Sequence, residues 1–161
     1  MVGLPAVALR YFNVFGPRQD PEGPYAAVIP RWFDGLLTGG DVAIYGDGET
    51  SRDFCYVANV VQANLLAATT THADAVGQVF NIAYGERTTL NELFQLIRER
   101  VARHRPEAQH VRPQHRDFRE GDVRHSLADI GRARRVLLYA PTHSVPEGLD
   151  RAAALYRSGV P

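Results

Sequence analysis

The run Val7-Ala-Leu-Arg-Tyr-Phe12 is apolar and aromatic, and it reads as a β-strand closed by Asn13-Val-Phe-Gly16-Pro17. A strand of this character suits a buried position in a sheet, with a neighbour on each side. That requirement constrains the fold more than any other feature of the 161 residues. Two later runs, Val42–Tyr45 and Gln78–Ala83, can act as neighbours; the other possibility is that further strands lie on sequence outside this chain. Helical spacing fills the intervals. Val28, Ile29, Trp32, Phe33, Leu36 and Leu37 share one face of a helix expected over Ala26–Leu37, with Pro30 in its first turn and Gly39-Gly40 as its stop. Val57, Val60, Val61, Leu65 and Ala68 mark a second helix from Val57 to about Ala68. Thr89-Leu-Asn-Glu92 has capping-box spacing and opens a third, whose apolar stripe is Leu90, Leu93, Phe94, Ile97 and Val101. Arg52–Tyr56 reads as extended, and Arg103–Gln114 as irregular with a short strand near Val111. Leu127–Leu138 and Pro146–Tyr156 read as two final helices. Strands alternate with helices, so the expected class is α/β.

The hydrophobic fraction is 45% and the charged fraction 22%, which places the chain among globular domains able to bury a core. Eighteen basic residues balance eighteen acidic ones, so bulk attraction to nucleic acid or to an anionic membrane is not expected. All eighteen bases are arginine. With no lysine, this polypeptide supplies no Schiff-base lysine, no P-loop lysine and no lysine-assisted catalytic tyrosine. One cysteine, Cys55, excludes an intrachain disulfide and a cysteine-rich zinc site. No apolar run is long enough to span a bilayer and no signal peptide opens the chain, so a reducing, cytoplasmic compartment is expected. The six histidines lack metal-ligand spacing, and no metal site is expected. Between Arg98 and Arg135 eleven arginines meet six acids without an aromatic stacking platform, which reads as a solvated helical surface rather than a nucleic-acid face.

Three segments are richer in chemistry than packing requires. Leu9–Arg18 ends a strand in Asn13, where α/β folds present ligand groups, although an asparagine that merely closes a turn would look the same. Gly46-Asp-Gly-Glu-Thr-Ser-Arg-Asp-Phe54 and Phe118-Arg-Glu-Gly-Asp-Val-Arg-His-Ser126 each set an arginine in a glycine-containing segment. A guanidinium is a planar fork suited to bidentate phosphate contact, though a surface ion pair uses the same residue. Two such arginines and an aspartate able to accept ribose hydroxyls could form a nucleoside-diphosphate cradle.

These segments and Tyr25-Ala-Ala-Val-Ile-Pro30 come in the order and spacing of the extended short-chain dehydrogenase/reductases acting on nucleotide sugars. The chain resembles that NAD-dependent nucleotide-sugar epimerase/dehydratase family over essentially its whole length, and within it the UDP-N-acetylglucosamine 4-epimerase branch. The resemblance implies the C-terminal part of a Rossmann-like fold: the last sheet strands plus the sugar-nucleotide domain. It assigns 1–24 and 57–85 to the sheet side and 25–56 and 86–161 to the substrate side. The glycine fingerprint and the Tyr-x-x-x-Lys pair of the family lie upstream of the Leu9–Phe12 strand, so most of the NAD site and all catalytic residues would come from an N-terminal half on a separate or longer chain. Carried over by position, Asn13 contacts sugar or diphosphate, Ala27 and Val28 line the sugar pocket, and Arg52 and Arg119 clamp the diphosphate. Asp122 accepts the ribose hydroxyls, and Ser126 is the small residue that leaves room for an N-acetyl group. Tyr45 and Arg18-Gln19 are secondary candidates for nucleoside contact. In the intact enzyme the implied reaction is inversion at C4 of a UDP-sugar by hydride transfer to NAD and back through a 4-keto sugar, carried out by a homodimer. Alone, the chain is expected to be inactive. A non-catalytic UDP-sugar-binding module, a gene remnant, and a dehydratase or decarboxylase of the same family are the other readings.

Overall fold

A computed structural model describes residues 5–20, 22 and 27–156. The start of the first expected helix, Ala26, and the Tyr25 end of its motif lie outside the described residues. In chain order the elements are β1 (Ala8–Tyr11), β2 (Val14–Phe15), α1 (Val28–Thr38), β3 (Ala43–Tyr45), β4 (Ser51–Arg52), β5 (Cys55–Tyr56) and α2 (Val57–Thr69). They continue with β6 (Val79–Ile82), β7 (Thr88–Thr89), α3 (Leu90–Ala102), β8 (Gln114–Arg116), α4 (Gly131–Val136) and α5 (Val145–Tyr156). Short 3₁₀ turns occupy Ala73–Ala75 and Pro106–His110.

The strands are two to four residues long and assemble in pairs. β1 runs parallel to β6, β2 to β5 and β3 to β8, while β4 and β7 are antiparallel. The expected pairing of the first strand with Gln78–Ala83 is therefore present, with Leu9 opposite Phe80. Val42–Tyr45 does not join it; β3 lies against β8 instead. Among the described residues β1 has no partner on its second edge, and Ala8, Arg10 and Tyr11 are exposed. The central, buried position expected for it is not realised by the strands among the described residues.

Two apolar clusters hold the elements. In the first, Trp32 and Phe33 of α1 meet Phe94 and Ile97 of α3, Leu149 of α5, and Phe15. The Trp32 and Phe94 rings meet edge to face, with centroids 5.8 Å apart. The Trp32 indole N–H donates to the Ala43 carbonyl at 3.1 Å, which ties α1 to β3. The second cluster packs Phe80 and Ile82 of β6 against Val60 and Ala63 of α2, Ala133 of α4, and Tyr139. There the Tyr139 hydroxyl donates to the Ala83 carbonyl at 2.9 Å.

Helix ends follow local chemistry. The Thr89 hydroxyl accepts from the Glu92 amide at 3.1 Å while the Glu92 carboxylate accepts from the Thr89 amide at 2.8 Å, the reciprocal cap the spacing predicts. Ser144 and Glu147 repeat it at the start of α5: the Glu147 carboxylate accepts from the Ser144 amide at 2.8 Å. The sequence Ser144-Val-Pro-Glu147 carries the same signal, so α5 begins at Val145, one residue before the expected Pro146. At the other end of α1, Arg105 donates to the Leu36 carbonyl at 3.2 Å, a cation set against the helix's negative pole.

Four expectations are corrected. The strand near Val111 falls instead at Gln114–Arg116. The helix over Leu127–Leu138 shrinks to α4, because the Ala128 amide donates to Asp53 at 3.3 Å and the Gly131 amide to Asp129 at 2.8 Å, which occupies this stretch in non-helical bonds. On α2, Val60 is buried beside Asn59 and Ala63, whereas Val57, Val61 and Leu65 are exposed at 36%, 53% and 63%. Finally, the arginine-rich stretch is not one solvated surface. Arg100 is 6% exposed, its Nε 2.9 Å from Asp150, and it donates to the Pro146 carbonyl at 2.9 Å, locking α3 to α5.

Candidate functional site

The C-terminal end of β1 leads into Asn13, whose φ of 35° turns the chain from β1 into β2. Its carboxamide donates to the Asp53 carbonyl at 3.1 Å, and its own carbonyl accepts from the Cys55 amide at 3.2 Å. Asn13 thus sits where two short parallel pairs, β1–β6 and β2–β5, come together. Asp53 below it is fully buried. Its carboxylate accepts from the amides of Tyr84 at 3.1 Å, of Gly85 at 3.1 and 3.2 Å, and of Ala128 at 3.3 Å. Burial pushes this carboxyl up from its usual range, and the hydrogen bonds from Gly85, Ala128 and Tyr84 pull against that rise.

A cavity of about 460 Å³ opens beside this junction. Asn13, Ala27, Val28, Arg52, Arg119 and Asp122 all line it. Ala27 is the extended residue just before α1 and Val28 is the helix's first, so the free amides of that turn border the cavity. Arg52 is held in the plane of its guanidinium: it donates to the Ser51 carbonyl at 2.9 Å and the Arg124 carbonyl at 3.4 Å, and it is paired with the Asp122 carboxylate. Asp122 reaches that position through a turn in which its amide donates to the Arg119 carbonyl at 3.2 Å. Gly121 supplies the positive φ, 75°, that the third residue of a type II turn requires. Arg119 lies over the Tyr45 ring, its guanidinium carbon 3.9 Å from the centroid.

Ser126 is not among the lining residues. Its amide donates to the Ser51 carbonyl at 3.1 Å, beside a Ser51 hydroxyl bonded to His125 Nδ1 at 2.9 Å. Of the secondary candidates, Tyr45 lines the cavity and Arg18 and Gln19 do not. Arg31, Asp41 and Arg116 are lining residues that sequence reasoning passed over. For Arg116 the signal was absent locally: it becomes a wall residue because β3 and β8 pair in a register that sets it opposite Tyr45. No group of three or more His, Cys, Asp or Glu side chains among the described residues could hold a metal. No helix among them is long and apolar enough to cross a membrane. With four arginines (Arg31, Arg52, Arg116 and Arg119) and two aspartates (Asp41 and Asp122) in its lining, the cavity can bind an anion whose neighbours are hydroxyls.

Residues 1–83 match the NAD dependent epimerase/dehydratase family. The chain is 37% identical over 151 residues to a putative UDP-glucose 4-epimerase of Methanocaldococcus jannaschii, covering 94% of this chain and 45% of the relative. It is 31% identical over 157 residues to a UDP-N-acetyl-alpha-D-glucosaminuronate decarboxylase of Bacillus cytotoxicus, covering 96% and 47%. The fold superposes with a TM-score of 0.86 on the UDP-N-acetylglucosamine 4-epimerase of Methanobrevibacter ruminantium in complex with UDP-N-acetylmuramic acid. That structure is 40% identical, with 98% of this chain and 47% of the other covered. The UDP-glucose 4-epimerase of Thermus thermophilus, solved with NAD, superposes with a TM-score of 0.78 at 28% identity, covering 98% and 48%. The chain thus spans about half the length of the relatives it matches.

NAD is the cofactor of this family. The described residues of this chain do not by themselves fit it: among them no glycine-rich turn joins a strand to a helix, so they form no backbone cradle for a dinucleotide pyrophosphate. The parallel β1–β6 pair, the helices packed on it and the superpositions together give an α/β fold of the Rossmann-like extended short-chain dehydrogenase/reductase type. On the match of its first 83 residues and the likeness of nearly its whole length, the chain belongs to the NAD dependent epimerase/dehydratase family.

Proposed function

We propose that this chain is the sugar-nucleotide-binding part of an NAD-dependent UDP-sugar 4-epimerase acting on UDP-N-acetylglucosamine or UDP-glucose. One observation carries the reading: Arg52 and Asp122, 70 positions apart, are paired at the rim of a cavity that Arg119 and Asn13 also line. In this reading Arg52 and Arg119 take the diphosphate and Asp122 the ribose hydroxyls. Asn13 reaches the sugar or diphosphate, Ala27 and Val28 border the sugar, and Ser126 acts from behind the lining by keeping space for an acetamido group. Residues 25–56 and 86–161 form the substrate side, while 1–24 and 57–85 belong to the sheet side. The free edge of β1 takes its next strand from an N-terminal half that also brings the glycine fingerprint and the Tyr-x-x-x-Lys pair. A family-type homodimer and a cytoplasmic location complete the reading. The second reading, a decarboxylase or dehydratase with the same binding half, is favoured by the 31% identity to a decarboxylase over the same stretch.

This chain's contribution to the reaction is binding and orientation, which lowers the entropic part of the barrier. Titration with UDP tests the residue roles. A charge-assisted contact is worth about 1.5–3 kcal/mol, so Arg52→Ala or Arg119→Ala weakens UDP binding roughly tenfold or more. Lysine at either position restores only part, lacking the planar fork. Asp122→Asn weakens binding less, because an amide oxygen still accepts from a hydroxyl. Arg103→Ala, at an exposed pair with Asp150, changes nothing. Arginine variants as silent as Arg103→Ala would overturn the clamp. Given NAD and UDP-N-acetylglucosamine, the chain alone forms no UDP-N-acetylgalactosamine; turnover free of host epimerase would overturn the assignment of catalysis to another half.

A further inference from the structure

The turn after β3 and the segment after β8 clasp one another. The Gly46 amide donates to the Arg116 carbonyl at 2.8 Å, and Arg124 pairs with Asp47 at 2.6 Å. Phe118 lies so close to Gly46 that a Cβ there would stand 2.3 Å from its ring. Between these contacts sits Tyr45, in register with Arg116 and covered by Arg119. The two guanidiniums beside its hydroxyl hold the phenol below its usual range, chiefly through hydrogen bonds from Arg119 and then Arg116.

The two arginines of the clamp are thus restrained differently. Arg52 is gripped in its own plane, by two carbonyls and a carboxylate, so a phosphate must compete with Asp122 for its donors. Arg119 is exposed, and an exposed arginine loses side-chain entropy when a ligand fixes it. An aromatic ring attracts the face of a guanidinium, and of the five N–H donors along its edge those not spent on the phenol oxygen can still fork onto an oxyanion. We infer that Tyr45 is a positioning residue for the diphosphate clamp: its ring fixes the plane of Arg119 at the cavity wall before the nucleotide arrives. This inference rests on the nucleoside-diphosphate reading of the cavity and goes beyond it by giving Tyr45 a role through Arg119 instead of through the base.

The test compares UDP with uridine, which has the base and ribose but no phosphate, on the full chain. Tyr45→Ala and the bulkier Tyr45→Leu should weaken UDP binding about three- to fivefold, the loss expected from an exposed cation–π contact, and leave uridine binding unchanged. Tyr45→Phe keeps the ring and should restore UDP binding to within about twofold of wild type. Combining Tyr45→Leu with Arg119→Ala should bind UDP no worse than Arg119→Ala alone, since the ring acts only through that arginine. Equal losses for UDP and uridine, full additivity in the double variant, or a Tyr45→Leu chain that binds UDP like wild type would each overturn the positioning role. A wild-type chain that binds neither ligand would overturn the nucleotide reading itself.

Discussion

Asp53 shows how a single side chain can hold two distant segments to its own. Its carboxylate lies 31 positions from Tyr84 and 75 from Ala128, and it gathers the amides of both with that of Gly85. An amide side chain offers one oxygen to these donors and turns an N–H toward the rest. Asp53→Asn should therefore cost on the order of 1–3 kcal/mol in urea unfolding, the penalty of stranding a buried donor. The pH dependence has a definite sign. Burial raises the folded-state pKa of Asp53 above its unfolded value, so between the two the folded state holds more protons and this group's contribution falls as pH rises. Asparagine does not titrate. The stability gap between wild type and Asp53→Asn should narrow as pH rises through the weakly acidic range, and a gap that widens over that interval would contradict the assignment.

At the scale of elements, the helices begin where side chains satisfy their first amides. Thr89→Ala removes one half of the α3 cap and should lower stability by about 1 kcal/mol, read as a shift of the urea midpoint at constant slope. The α5 cap adds a pH signature. Hydrogen bonds from the Ser144 amide and hydroxyl hold the Glu147 carboxyl below its usual range. A depressed folded-state pKa means that its stabilisation is present above the unfolded value and is lost as pH falls through the folded one. Glu147→Gln should accordingly flatten part of the acid limb of the stability profile and leave the alkaline limb alone. An unchanged acid limb would show that the cap is not formed in solution.

The whole molecule carries more apolar surface on one side than its own elements cover. Val57, Val61 and Leu65 lie along the outer side of α2, and Tyr11 of β1, 46% exposed, donates its hydroxyl to Asn64 of the same helix at 3.0 Å. Next to them runs a strand edge with no partner among the described residues, and such an edge with an apolar stripe promotes association. The isolated chain should self-associate, and Val61→Glu with Leu65→Glu should reduce that association in sedimentation while shifting stability by no more than about 0.5 kcal/mol per exposed substitution. A wild-type chain that is monomeric with a sharp melt would contradict this.

The α/β class, the capping box at Thr89 and the apolar stripe of α3 were legible in the residues themselves, because each depends on partners within one or two turns. Asn13, Arg52 and Arg119 could be singled out as candidates from residue type alone, and the structure sets all three around one cavity. Their convergence was not legible locally. Strands of two to four residues are too short to carry a period, so nothing in Val42–Tyr45 tells that it pairs with Gln114–Arg116 and not with the first strand. Arg116 becomes a cavity wall, Arg100 a buried fastener and Arg105 a half-buried one only once long-range closure brings them to Tyr45, Asp150 and the end of α1. Residue type determined which groups could bind an anion. The tertiary structure decided which of the eighteen arginines meet at one cavity, because only chain closure over tens of residues brings a charge and its partner within hydrogen-bond reach.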